Sequence, residues 1–197
     1  MTTLEHRAAP PLTREPAWWG MLLLIATEAA LFALLLASYF YTKFQTEGPW
    51  PPDGIADPKL AKPIVMTVLL MLSSIPAYLA ERNARRGDQR GLVLALLATL
   101  LLGSAFLALQ IWEYTEKADL FTPRTNAYGS LFYTITGLHG AHVVAGLVLL
   151  LWTLAFALRG AFTAERHLAV QNVSLYWHFV HGVWLFVFVS LYLLPSL

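Results

Sequence analysis

Leu175-Tyr176-Trp177-His178-Phe179-Val180-His181-Gly182-Val183-Trp184-Leu185-Phe186 sits within a largely apolar run from about Val170 to Leu194. As a helix, that run is long enough to cross the roughly 30 Å hydrocarbon core of a bilayer. Its two histidines and two tryptophans need explaining. An imidazole in hydrocarbon is costly unless it faces protein, water or a lipid headgroup, so such residues raise a functional-site hypothesis.

The whole chain agrees with a membrane setting. Of its 197 residues 57% are hydrophobic and only 13% charged, against about 25% charged in soluble domains. The net charge of +1 and the lack of a basic run give no reason to expect nucleic acid as a partner. With no cysteine there is no disulfide, thiolate metal site or cysteine nucleophile. Residues 1–16 are polar, with Pro10, Pro11 and Pro16, and the apolar run after them exceeds a signal peptide's core. The reading is a cytoplasmic tail over 1–16 and a membrane domain over 17–197.

Five segments qualify as spans: about Trp18–Phe40, Pro63–Ala80, Leu92–Trp112, Tyr128–Leu158 and Val170–Leu194. Lipid offers the backbone no hydrogen-bond partners, and the alternation of a barrel strand is missing, so all five are predicted helices. The fold class is all-α, a polytopic bundle of five transmembrane helices. Ser73, Ser74 and Pro76 interrupt the second span, where a kink is expected near Pro76. The fourth must tilt or project from the membrane.

Charge sets the expected orientation. The tail, the loop Glu81–Arg90 and the loop Arg159–Gln171 hold Arg7, Arg14, Arg82, Arg85, Arg86, Arg90, Arg159 and Arg166. The opposite side holds Lys43, Lys59, Lys62, Lys117 and Arg124. By the positive-inside rule the N-terminus is cytoplasmic and the C-terminus outside. Trp18, Trp19, Trp50, Trp112 and Trp152 fall near span ends, as an aromatic belt requires. Those arginines also suit anionic lipid headgroups.

Several polar residues could carry chemistry. Glu28 lies about 15 Å into the first span by helical rise. It reads either as a proton-handling or lipid-contacting group, or as a hydrogen-bonded residue that sets helix packing. His139 and His142 are three apart on the fourth span, and His178 and His181 repeat that spacing on the fifth. Four histidines on two helices could clamp a metal or ligate haem. Alternatively, Gly137, Gly140 and Gly146 bring helices together while the imidazoles hydrogen-bond across the contact. Glu113, Tyr114 and Glu116 read as a solvated interface or a docking surface. There is no nucleophile with its base, phosphate loop or HExxH pattern to support an independent enzyme.

Two long motifs carry a resemblance. One is Tyr176-Trp177-His178-Phe179-Val180 followed by Val183-Trp184-Leu185-Phe186. The other runs Tyr128-Gly129-Ser130, Phe132, Thr136-Gly137, His139-Gly140, His142-Val143. Glu28, Trp50-Pro51-Pro52 with Gly54-Ile55, Gln110 and Glu113-Tyr114 follow in the same order. With these the chain resembles subunit III of the haem-copper cytochrome c oxidases, in a shorter bacterial form with five helices.

The resemblance implies a multi-pass protein of the bacterial inner membrane that binds no metal itself, with haem and copper in partner subunits. It implies packing on subunit I, with subunit II and other respiratory-complex subunits nearby. It also implies a cleft holding phospholipid and support of proton uptake. Residue by residue, Glu28 corresponds to the cleft carboxylate, His139, His142, Trp177 and His178 to helix-packing and cleft residues, and Arg159 to a headgroup arginine. His181 stands where many members have Asp, and Gln171 where Glu is frequent. Two N-terminal helices of the longer form have no counterpart, so one cleft wall comes from another chain, from lipid, or is absent. An accessory subunit of nitric oxide reductase and an independent haem or metal oxidoreductase are the alternative readings.

Overall fold

A computed structural model describes residues 16–52, 55 and 60–196. Arg7, Arg14, Gly54, Lys59 and nearly all of the expected tail lie outside the described residues. Five helices follow: α1 Pro16–Gln45, α2 Ala61–Arg86, α3 Gln89–Ala118, α4 Ala127–Leu158 and α5 Leu168–Phe188. A π-helical turn over Val189–Leu193 and a short 3-10 turn over Leu194–Ser196 extend α5. Among the described residues there is no strand, and all five helical stretches are long and apolar enough to cross a membrane.

Helix ends are set by hydrogen bonding rather than by hydropathy, so the helices outrun the apolar segments. The second is expected to stop near Ala80, yet α2 continues through the arginine-rich residues to Arg86. There Gly87, at φ 69°, takes the left-handed conformation that closes a helix at little cost to glycine. Asp88 immediately caps α3, its Oδ1 accepting from the Gly91 N–H at 3.0 Å. The α2–α3 connection is thus a tight turn. Asn126 caps α4 in the same way, accepting from Gly129 N–H at 2.8 Å. α2 stays helical through Pro76, and α4, at 32 residues, is about 48 Å long and exceeds the hydrocarbon thickness.

α2, α3, α4 and α5 pack as a closed ring, each touching two neighbours, while α1 lies outside against α4 and α5. On α1 only Phe32 and Tyr39 are buried. The ring closes tightly because two glycines admit one large side chain. Trp177 of α5 is fully buried, and a Cβ on Gly103 of α3 or Gly146 of α4 would come within 2.7 Å of its indole carbons. Small residues allow such approach between membrane helices, where packing rather than hydrophobic exclusion drives association. Leu23, Leu34, Leu101, Val148 and Phe186 are exposed on the outer surface, as lipid contact requires.

Candidate functional site

Glu28 and His142 meet where α1 leans on α4. His142 is held by its own helix: its Nδ1–H donates to the Leu138 carbonyl oxygen at 2.8 Å. A carbonyl only accepts, which identifies the nitrogen bearing the hydrogen. Nε2 then points across the helix contact to Glu28 Oε2 at 3.0 Å. A hydrogen bond at this distance needs one proton, carried by either atom. On nitrogen it makes an imidazolium facing a carboxylate, and on oxygen an imidazole facing a carboxylic acid. Both forms carry zero net charge, which lowers the cost of keeping the pair within the membrane.

The pair opens on a cavity of about 270 Å³ lined by Leu24, Glu28, Ala141, His142, Ala145 and Tyr176. Tyr176 O–H donates to the His142 carbonyl at 3.3 Å, and Phe32 lies edge-on to the imidazole with centroids 5.1 Å apart. On the other flank of α1, a second cavity of about 360 Å³ is lined by Ala29, Phe32, Ala33, Leu36, Phe179, Gly182, Val183 and Phe186. α1 therefore stands between a polar-headed cavity and an apolar one.

The other expected site residues go elsewhere. His139 is fully buried against Phe106 and Trp184, and its Nε2–H donates to the Val180 carbonyl at 3.3 Å. At 100° per residue, a spacing of three leaves side chains about 60° apart. That is enough to send His139 into the ring and His142 toward α1. Trp177 Nε1–H donates to Ser73 Oγ at 3.1 Å, the same hydroxyl lies 2.9 Å from His181 Nε2, and His181 Nδ1–H donates to the Trp177 carbonyl. His178 is half-buried, its ring 5.9 Å from that of His181. The four histidines do not converge. Among the described residues no group of three or more His, Cys, Asp or Glu side chains could hold a metal.

Arg159 caps the end of α4, exposed. It lies about 25 Å along the helix from His142 at 1.5 Å per residue, so the two cannot touch the same small group. A molecule as long as a phospholipid could meet both. Residues that the sequence reading passed over are Ser73, taken there only as an interruption of the second span, and Tyr176, read only within its motif. The usable signal was the rule that a hydroxyl in an apolar span needs a partner.

The C-terminal end of α3 differs from a solvated interface. Glu113 is buried, accepting from Tyr192 O–H at 3.2 Å and lying 3.6 Å from Lys117 Nζ. Lys117 in turn lies 4.9 Å from the centroid of the Phe132 ring. Tyr192 lies in the π-helical turn that brings its hydroxyl to this carboxylate, and such turns are frequent at functional sites. Tyr114 O–H donates to Thr136 Oγ1 at 2.7 Å and Gln110 Nε2–H to the Thr136 carbonyl at 2.8 Å, fastening α3 to α4. Glu116 alone matches the solvated reading, exposed and paired with Lys62.

Comparison with known proteins covers this entire architecture. Residues 8–196 match the family described as cytochrome c oxidase subunit III. Cytochrome c oxidase subunit 3 of Squalus acanthias is 34% identical over 196 residues, covering 96% of this chain and 74% of the relative. The proteins of the same description from Pan troglodytes, 35% identical over 195 residues with 96% and 74% covered, and Loxodonta africana, 34% over 188 residues with 92% and 71% covered, are similar at the same level.

Proposed function

Because the chain belongs to the cytochrome c oxidase subunit III family, we propose that it packs on the haem-bearing subunit I, holds phospholipid beside α1 and supports proton uptake by its partner. The family is a non-catalytic haem-copper oxidase subunit, so the chain is a multi-pass membrane protein that associates with other oxidase subunits in respiration. Haem and copper then reside in partner subunits, subunit II among the neighbours. We further assign it to a bacterial inner membrane, with the arginine-rich ends in the cytoplasm by the positive-inside rule.

The observation that carries this reading is the Glu28–His142 pair at the mouth of its cavity. A single proton shared between two groups can shift without changing the net charge of the site. Phospholipid seated beside α1 would cover the pair, its headgroup at the level of Arg159 and an acyl chain along the apolar flank. His139 and Trp177 serve by fixing α4 and α5, the surfaces on which α1 and the lipid rest, and His178 lies beside His181 on α5.

Two measurements test it. Purifying the native complex should bring down a haem-copper subunit, and a nitric oxide reductase as the sole partner would overturn the assignment. Glu28→Ala should leave the initial rate of oxygen reduction nearly unchanged while shortening the active lifetime or lowering tightly bound lipid. Equal lifetime and lipid content in mutant and parent would remove Glu28 from the mechanism.

A further inference from the structure

Where α3 and α4 meet at the arginine-rich end of the bundle, none of the residues that line the Glu28 cavity is present. Gln89 Nε2–H of α3 donates to the Ala157 carbonyl of α4, tying the two ends together. Beside this bond lies a groove of about 360 Å³ lined by Gln89, Arg90, Val93, Leu94, Ala157 and Leu158. Its walls are mostly apolar, and Leu94 and Leu158 are each 67% exposed. Arg90 is exposed at its end.

Charge at this end of the bundle is unbalanced. Arg82, Arg85, Arg86, Arg90, Arg159 and Arg166 outnumber the three carboxylates of the adjoining turns, Glu81, Asp88 and Glu165. All three are engaged, Glu81 by Arg85 at 2.6 Å, Asp88 in capping α3, and Glu165 in accepting from Thr163 O–H at 2.8 Å. Among the described residues Arg90 has no carboxylate within ion-pair distance. A cation at the membrane boundary with an apolar trough beside it matches an amphiphile with an anionic head. A small free anion would use Arg90 and leave the leucines uncovered. A lipid without net charge would cover the leucines and leave the surrounding arginines unbalanced.

We propose that this groove binds an anionic phospholipid, its phosphate on Arg90 and an acyl chain along Val93, Leu94 and Leu158. The guanidinium fork suits phosphate oxygens, and a basic group near a charged bilayer surface already favours anionic lipid. No α1 residue lines the groove, so this site is separate from the Glu28 cavity. It requires only that the five helices lie in a membrane, and its failure would leave the partner assignment untouched.

The test counts lipid. The full chain is reconstituted in phosphatidylcholine nanodiscs containing phosphatidylglycerol, and the phosphatidylglycerol retained after release is counted by native mass spectrometry. Arg90→Gln and Leu158→Trp should each retain one fewer molecule than the parent, and Arg90→Lys should keep it. Arg82→Gln, outside the groove, should also keep the parent's number. The proposal falls if Arg90→Gln and Leu158→Trp both retain the parent's number. It falls equally if Arg82→Gln loses as much as Arg90→Gln, since the attraction would then be diffuse. Displacement of the lipid by soluble glycerol phosphate would mark a site for free anions and overturn it as well.

Discussion

Gly146→Ala places a methyl group in the tightest part of the bundle. The new Cβ would lie 2.7 Å from Cε3 and Cζ3 of Trp177, against the 3.5–4.0 Å at which carbon atoms ordinarily meet. The indole cannot retreat. Gly103 of α3 closes the opposite side, its own Cβ position 2.7 Å from Cζ2, and the Nε1–H bond to Ser73 fixes the ring's rotation. α4 and α5 must therefore separate by about 1 Å, or the ring must leave its hydrogen bond. Overpacking of this kind costs about 1–3 kcal/mol, offset by up to about 1 kcal/mol of helix propensity gained from Ala over Gly. The expected net loss is about 1–2 kcal/mol, roughly a tenfold change in the folded-to-unfolded ratio.

The assay is reversible unfolding of the full chain in mixed micelles by dodecyl sulfate titration, followed by circular dichroism. Gly182→Ala is the control, because nothing lies within 4 Å of its Cβ position, and it should be neutral or slightly stabilising. Trp177→Phe removes the ring that the new methyl strikes, so in that background Gly146→Ala should cost at least about 0.5 kcal/mol less than in the parent. Equal stability of Gly146→Ala and Gly182→Ala, or strict additivity with Trp177→Phe, would refute the packing argument.

The same titration checks two further substitutions. Tyr192→Phe takes one donor from the buried Glu113 carboxyl and should cost about 1–3 kcal/mol, whereas an unchanged midpoint would mean that Lys117 alone satisfies the group. His181→Asp puts an acceptor-only carboxylate where Nδ1–H now donates to the Trp177 carbonyl. It should destabilise by more than about 2 kcal/mol, and His181→Asn, which keeps a donor, by less. A stable His181→Asp variant would show that the carboxylate finds a donor of its own.

The existence of all five helices was legible in hydropathy alone, because lipid leaves the backbone one solution. Their ends were not. The polar residues after Ala80 give no apolar signal, yet the i to i−4 hydrogen bonds run on until Gly87 turns the chain. Glu28 and the histidines were visible as polar residues in apolar surroundings, but their partners were not. Glu28 and His142 are 114 residues apart, and no local pattern records such a pairing. The metal reading of the four histidines failed on angle: a spacing of three places side chains on neighbouring faces, and a close-packed ring separates those faces into different contacts. Glu113 looked solvated because it ends an apolar run. Its burial depends on Tyr192, a tyrosine re-aimed by one π-helical turn whose register the sequence does not announce.

The position of α1 outside the ring also orders events during synthesis. α1 is made before α4 and α5, yet its docking surfaces belong to them. With His142 following Glu28 by 114 residues, translation at roughly 5–20 residues per second leaves the carboxyl without its imidazole for on the order of 6–20 s. For that interval α1 lacks both of its docking surfaces and carries an unmatched acidic group in the bilayer or at the insertion machinery. The arrival of α4 is what gives it a place to settle.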